Sequence, residues 1–316
     1  MATLNSITTT YAGEAAGKWV SAALLTAPTL EKNLIEVMPN VKYKSVLQRL
    51  STSSLIQDGS CDFTPDSSVT IDERILTPRE LKVNLTLCKR NFHDTWNAIE
   101  QGYSAHDVLP KSFADYLLAY VAKKVAAANE SSIWNGSSST AGQFDGFMTL
   151  LTTDANLPAA NEVSGTTLSR SNILTELGKV ADAVPAALYS QGTAQIYVSQ
   201  QAYRFYMAAL GGFGASGLGA NGYDNKGANQ AFGDLLFEGI KVVPVNGLTA
   251  NQMLASYREN LVFGTGLLSD QQEVKVIDMS DIDGSDNVRM IMKFTAGVQY
   301  VSAADIVTYG ITNSAN

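Results

Sequence analysis

Gly239-Ile-Lys-Val-Val-Pro-Val245, Leu261-Val-Phe-Gly-Thr-Gly-Leu-Leu-Ser-Asp270, Val288-Arg-Met-Ile-Met-Lys-Phe-Thr-Ala-Gly-Val-Gln-Tyr300 and Ile306-Val-Thr-Tyr-Gly310 follow one another in the last third of the chain. Each is a short apolar or β-branched run, and Gly, Asn and Asp punctuate the intervals. That pattern predicts successive strands joined by turns. Upstream, Leu168 to Leu188 has Ile173, Leu174, Leu177, Val180, Ala181 and Val184 recurring every three to four residues, which predicts an amphipathic helix that Pro185 ends or kinks. Ala194 to Ser199 reads as a buried strand, and Ser199 caps a helix over Gln200 to Leu210. Strand, helix, loop and strand in succession predict a mixed α+β lobe rather than an all-β sandwich. Between Gly211 and Gly227 runs a glycine-rich loop carrying Gly211, Gly212, Gly214, Gly217 and Gly219. It is unusually long for a compact domain, as functional loops are.

Further towards the amino terminus, Ser112 caps a run in which Phe113, Leu117, Val121 and Val125 recur at spacing four, with Tyr116, Tyr120 and Ala128 widening the stripe and Asn135-Gly136 as the stop. A helix from Ser112 to Trp134 is about 35 Å long, near the width of a small domain. From Val46 to Leu87, two strand-like runs flank a polar stretch. The second alternates, with Leu81, Val83, Leu85 and Leu87 on one side and Lys82, Asn84 and Thr86 on the other. The turn formers Asp58-Gly59, Thr64-Pro65-Asp66 and Thr77-Pro78 lie between, so the segment predicts a long two-stranded ribbon with an irregular tip. An isolated ribbon is marginally stable in water and needs a partner surface; an ordinary hairpin packed in its own domain is the plainer alternative. Residues 1 to about 43 offer only the apolar cluster Trp19, Val20, Leu24, Leu25, Leu30, Leu34 and Ile35, which reads as an arm that must lie against something else.

Composition removes several function classes. The chain has 316 residues with 45% hydrophobic content, enough for a substantial core, and a net charge of -8, which repels nucleic-acid phosphates and argues against sequence-reading DNA binding. Cys61 and Cys88 lack CxxC spacing, so neither a zinc site nor a disulfide framework is suggested. No run approaches the roughly 18 to 20 apolar residues a membrane span needs. Met1-Ala-Thr-Leu-Asn-Ser has no basic region before an apolar core, so no secretory signal is expected and synthesis in a cytoplasm is.

Candidate chemistry is thin. Gly212-Phe-Gly214-Ala-Ser-Gly217 matches G-x-G-x-x-G, but it follows a helix rather than a strand, so no cofactor is expected. Asp278, Asp281, Asp283 and Asp286 cluster, but no glutamate closes a calcium loop and an Asp-Gly turn between strands explains the letters. His93 and His106 are the only histidines, and His93-Asp94 lacks the further partners of a catalytic set, so no catalytic or metal residue is assigned. Asp72, Glu73, Arg74, Arg79 and Glu80 gather both signs of charge on the ribbon and are the candidate inter-subunit contacts.

This order of segments resembles the tailed-phage major capsid protein of the Hong-Kong-97-type fold, over nearly the whole chain. Phe144-Asp-Gly-Phe147, Ile196-Tyr-Val-Ser-Gln-Gln-Ala-Tyr203, Gly239 to Val245, and Phe263-Gly-Thr-Gly266 through Ala296-Gly-Val-Gln299 carry the likeness. It implies an N-terminal arm (1–43), an extended loop (44–90), a peripheral domain with a spine helix (91–165) completed by closing strands (271–316), and an axial domain (166–270). It implies a non-enzymatic virion subunit that self-assembles in host cytoplasm into hexamers and pentamers of an icosahedral shell around double-stranded DNA. A separate scaffolding protein, a portal protein and a cement protein are the partners it implies. The glycine-rich loop would sit near a local symmetry axis. Two departures bear on mechanism: Ser51 to Leu81 contains no lysine for covalent cross-linking between subunits, and the short arm replaces the long cleaved scaffolding segment of some members. Charge reversal at Arg74 and Arg79 is expected to impair assembly of a folded monomer. An encapsulin-like compartment and a soluble hydrolase built around His93 are the rival readings.

Overall fold

The computed structural model describes residues 10–11, 28–52, 56, 69–88, 111–210, 235–266 and 274–315. In chain order its strands are β1 (Thr10–Tyr11), β2 (Glu36–Met38), β3 (Ser45–Thr52), β4 (Val69–Leu76) and β5 (Arg79–Cys88). Then come β6 (Glu162–Val163), β7 (Gln195–Ser199), β8 (Leu235–Phe237), β9 (Ile240–Val245) and β10 (Met253–Ser256). The last are β11 (Leu261–Thr265), β12 (Val274–Asp278), β13 (Asn287–Tyr300) and β14 (Val307–Tyr309). They form two six-stranded sheets and a separate two-stranded ribbon of β3 with β4.

β13 organises the first sheet because its pattern holds period two over fourteen residues. Val288, Met290, Met292, Phe294, Ala296, Val298 and Tyr300 are all buried, while Arg289 and Lys293 between them face water. β5 pairs antiparallel along one side, setting Leu81, Val83, Leu85 and Leu87 opposite Phe294, Met292, Met290 and Val288. β12 and then β11 pair along the other side, and β2 adds a parallel edge to β11. The second sheet runs β6-β14-β10-β7-β9-β8. The helices Ile173–Ala183 and Gln200–Leu210 share a core with it, built on Ile173, Leu177, Val180, Tyr203 and Tyr206.

The long helix, Lys111–Asn135, ties the two sheets together. Its last turns bury Ile133 and Trp134 in a core that also holds Phe263 and Phe294 of the first sheet and Tyr197, Val243 and Leu254 of the second. The Trp134 ring lies 5.6 Å from Phe147 and 5.1 Å from Tyr197, centroid to centroid. The Phe144-Asp-Gly-Phe147 turn folds back onto this helix end: Gly146 donates to the Gly136 carbonyl, and a Cβ there would lie 2.6 Å from the Ser132 carbonyl oxygen. Only glycine permits that approach.

Several expectations are met, and others are displaced. The long helix, the Gln200–Leu210 helix and the closing strands lie where the periodicity put them. Pro185 breaks the second amphipathic run, leaving Ile173–Ala183 followed by a separate helix Ala186–Gln191. The alternating run Leu81 to Leu87 is a strand, as read, but not an arm of the ribbon. Ser45–Thr52 pairs with Val69–Leu76 instead, and β5 belongs to the sheet, because its apolar rungs match those of β13. The chain also crosses between sheets: Leu261–Thr265 joins the first, and Val307–Tyr309 joins the second. Between β12 and β13 the Asp-Gly turn is one helical turn, Ser280–Asp283, ended by Gly284 at a φ of 70°.

Candidate assembly surface: the ribbon and its root

Alternation gives the ribbon two faces of different character. Its antiparallel register puts Val46 opposite Ile75, Leu50 opposite Ile71 and Thr52 opposite Val69 on one face, with the Gln48–Glu73 rung among them. The other face carries Leu47 opposite Arg74 and Arg49 opposite Asp72. Leu47 and Leu76 are buried with Val41 and Val262 at the root. The first face is left in water: Val46 is 49% exposed, Leu50 65%, Val69 59%, Ile71 55% and Ile75 52%. Five large aliphatic side chains exposed on one side of a two-stranded ribbon, in two groups on either side of the Gln48–Glu73 rung, exceed the scattered exposure normal for a monomer.

The opposite face is fastened to the body at two points. Arg74 bonds the Asp154 carboxylate at 2.6 Å while its guanidinium sits 4.5 Å from the centre of the Tyr300 ring, and the Tyr300 hydroxyl donates to the same carboxylate oxygen at 2.5 Å. Arg49 donates to the Ser302 hydroxyl at 2.5 Å and lies 3.4 Å from Asp305. Gln299 adds a bond to the Ile75 carbonyl. Burial pushes the Asp154 carboxyl up, but the Tyr300 hydroxyl, the Asn156 amide and the Arg74 guanidinium outweigh it and leave the group below the usual aspartate value.

Of the five charged residues singled out on the ribbon, the structure brings Arg74 and Arg79 onto their own chain. Arg79 donates to the Ser138 and Gln143 carbonyls, closing the Ser-rich turn after the long helix. Asp72, Glu73 and Glu80 are all exposed, but Glu73, which accepts from Gln48 across the ribbon, lies on the apolar face, Asp72 on the opposite one and Glu80 on β5. Reversing Arg74 would therefore act first on Asp154 of the same subunit. In the sequence the apolar face is marked only by Val46 and Leu50 and by Val69, Ile71 and Ile75 at even spacings, with Gln48 and Glu73 interrupting the two runs. A surface of opposite charge lies on the outer side of the first sheet. Lys82 stands directly across from Lys293, with Arg289 further along, and all three are exposed. Like charges on one rung repel, with Glu80 one residue pair away as a partial counterweight.

A second polar cluster anchors the start of the body. Glu130, buried on the long helix, accepts from the Thr29 amide at 3.1 Å, the Thr29 hydroxyl at 2.5 Å and the Asn246 amide at 3.4 Å; the Trp134 indole donates to that hydroxyl. One carboxylate thus fastens the short helix Pro28–Glu31, the long helix and the turn after β9. Burial raises its pKa above the ordinary 4.5, and the bonds from Thr29, Asn246 and Trp134 offset that only in part. The folded state therefore holds this proton more tightly than the unfolded one. Its contribution is fully present below about pH 4.5 and is lost as pH rises through the folded value. Asp154 works in the opposite sense, so total stability does not isolate Glu130. In thermal melts against pH, the wild type should lose ground relative to Glu130→Gln as pH rises from 4.5 towards neutrality; a constant difference would refute this.

The loop glycines Gly211, Gly212, Gly214, Gly217 and Gly219, both histidines, Cys61, the ribbon tip and most of the arm lie outside the described residues. Among the described residues no group of three His, Cys, Asp or Glu is placed to hold a metal ion, and no helix is long and apolar enough to cross a membrane.

Two sheets joined by a long helix, with a projecting ribbon rooted beside the longest strand, define the fold of tailed-phage capsid proteins, the Hong-Kong-97 type. A chain of the satellite phage P4 procapsid, which includes the size determination (Sid) protein, matches 96% of this chain with 93% of its own at 11% identity and a TM-score of 0.59. The capsid of a native GTA particle matches 92% with 90% of its own at 15% identity and a TM-score of 0.56. A virus-like particle from Pyrococcus furiosus matches 93% with 97% of its own at 12% identity and a TM-score of 0.50. No protein-family model matches the chain, and no curated protein does. At such identities the likeness is one of fold.

Proposed function

We propose that the chain is a structural subunit of a closed capsid shell, built from copies of itself and enclosing double-stranded DNA without catalysis. The outward apolar face of the ribbon carries this reading. Val46, Leu50, Val69, Ile71 and Ile75 stay 49% to 65% exposed among the described residues, and the surface they form extends from a body whose fold recurs in capsids. A second copy supplies the missing cover. The outer side of the first sheet, with Lys82, Arg289 and Lys293, offers positive charge to Glu73 on the ribbon of a neighbouring copy, and such complementarity fixes register more than it adds affinity. The ribbon then acts as the extended loop, the long helix and first sheet as a peripheral domain, and the second sheet as an axial domain. Scaffolding, portal and cement proteins are further partners in host cytoplasm.

Electron microscopy of the purified protein tests the proposal: closed particles are expected, and a protein that stays monomeric at any concentration would refute it. Particle contents separate a virion shell from a protein-filled compartment, since nucleic acid is expected in one and a cargo enzyme in the other. The same particles should run as one band at the single-chain mass on a denaturing gel, because Ser51 to Leu81 offers no lysine for a covalent link. A ladder would overturn that reading.

A further inference from the structure

We infer that Asp154 is a positioning residue that sets the angle at which the ribbon leaves the body, and through it the curvature of the assembled shell; this rests on the function proposed above. The geometry is that of a pivot. β4 and β5 are separated only by Thr77-Pro78, and both run beside β13, so backbone pairing fixes where the ribbon begins. Pairing within the ribbon fixes its internal register. Neither fixes its inclination, because a two-stranded ribbon beyond its root bends and twists readily.

Inclination is set by side chains on the body-facing side. Arg74 is held from two directions at once: the Asp154 carboxylate takes its charge at 2.6 Å, and the Tyr300 ring supports the guanidinium plane at 4.5 Å. Tyr300 donates to that same carboxylate, so the three side chains close a triangle in which no member can rotate alone. Asp154 is in turn fixed by its surroundings. Its second carboxylate oxygen accepts from the Asn156 amide, and its carbonyl accepts from the Asn313 side chain near the carboxyl end. The Asp154 side chain is only 9% exposed and that of Arg74 21%, so water competes weakly for the pair. Arg49, 37% exposed and bonded to Ser302 and Asp305, braces the neighbouring rung as a weaker second point. The triangle grips the return strand next to the root, beside the Gln299 bond to the Ile75 carbonyl, where a small rotation displaces the exposed face most.

A fold-wide role would make Asp154→Asn a destabilised protein that still assembles normally or not at all. A positioning role predicts something else. Asp154→Asn and Tyr300→Phe should each leave a folded monomer, with amide exchange at Leu47 to Arg49 and Asp72 to Arg74 accelerated about tenfold and the core strands β7 and β13 unchanged. Particles of both variants should then spread in diameter by electron microscopy where the wild type gives one size. Tyr300→Phe keeps the ion pair and the ring, so it tests the triangle even if Asp154→Asn fails to fold. Unchanged ribbon exchange and an unchanged diameter in the folded variants would overturn the inference. A wild type that forms no shells would instead overturn the proposed function, and exchange in the monomer would still report on the pivot.

Discussion

Replacing Leu50 with Lys and Ile71 with Glu abolishes particles while the monomer melts within a few degrees of the wild type. The two residues face each other on one rung and are 65% and 55% exposed, so neither supports the monomer's core. Opposite charges on that rung keep the ribbon paired, since a cross-strand ion pair replaces a cross-strand apolar contact of similar size. Assembly loses much more. Covering each aliphatic side chain contributes about 2 kcal/mol, so removing both weakens a docked ribbon by about 4 kcal/mol, close to a thousandfold in the concentration needed for assembly. Burying the new charges adds to the loss. Every subunit in a shell repeats the defect. Sedimentation and electron microscopy, with circular dichroism as the folding control, decide it; shells at wild-type concentrations would show that the face is not an interface.

The ribbon's apolar face is not legible in the sequence alone, and the reason is physical. Periodicity reports which residues share a face, and it does so locally. The alternation from Leu81 to Leu87 was legible, but which strand accepts it depends on β13, more than two hundred residues away, whose own alternation at Val288 to Tyr300 supplies matching rungs. With β5 taken by the sheet, the ribbon's return strand had to be Val69–Leu76, a run whose charges at Asp72, Glu73 and Arg74 mask its aliphatic face. The helices were easier, because a 3.6-residue period needs no distant partner: Lys111–Asn135 and Gln200–Leu210 fall where their stripes put them. Burial of charge was beyond the sequence altogether. Glu130 lies off the apolar stripe of Phe113, Leu117, Val121 and Val125, so the helical period gives no sign that it is buried. It is 2% exposed, because the short helix at Thr29 and the turn at Asn246 close over it. Arg74 looked like a surface charge and is one corner of a three-residue clamp.

The converse experiment removes the fold and leaves the ribbon face intact. Trp134→Ala should lower the stability of the monomer by about 3 to 5 kcal/mol, the usual range for deleting a fully buried aromatic side chain. The upper end is expected here, because Trp134 is 0% exposed and holds three bodies at once. Its ring packs between Phe147 and Tyr197, which brings the turn after the long helix and the second sheet onto one side chain. Its indole donates to the Thr29 hydroxyl, which donates in turn to Glu130, so truncation also loosens the anchor of the amino-terminal segment. Collapse into the void is hindered on the side of Gly247, whose backbone already lies so near Trp134 and the Glu130 carbonyl that no Cβ could be placed there. Denaturant unfolding followed by tryptophan-independent circular dichroism measures the loss. Particles should disappear with it, but for the opposite reason: Leu50→Lys with Ile71→Glu gives folded subunits that cannot join, and Trp134→Ala gives subunits that present the joining face on an unfolding body. A Trp134→Ala protein as stable as the wild type would mean that the two sheets are not held through the end of the long helix, and the ribbon root, fixed to Tyr300 of the same core, would then need another support.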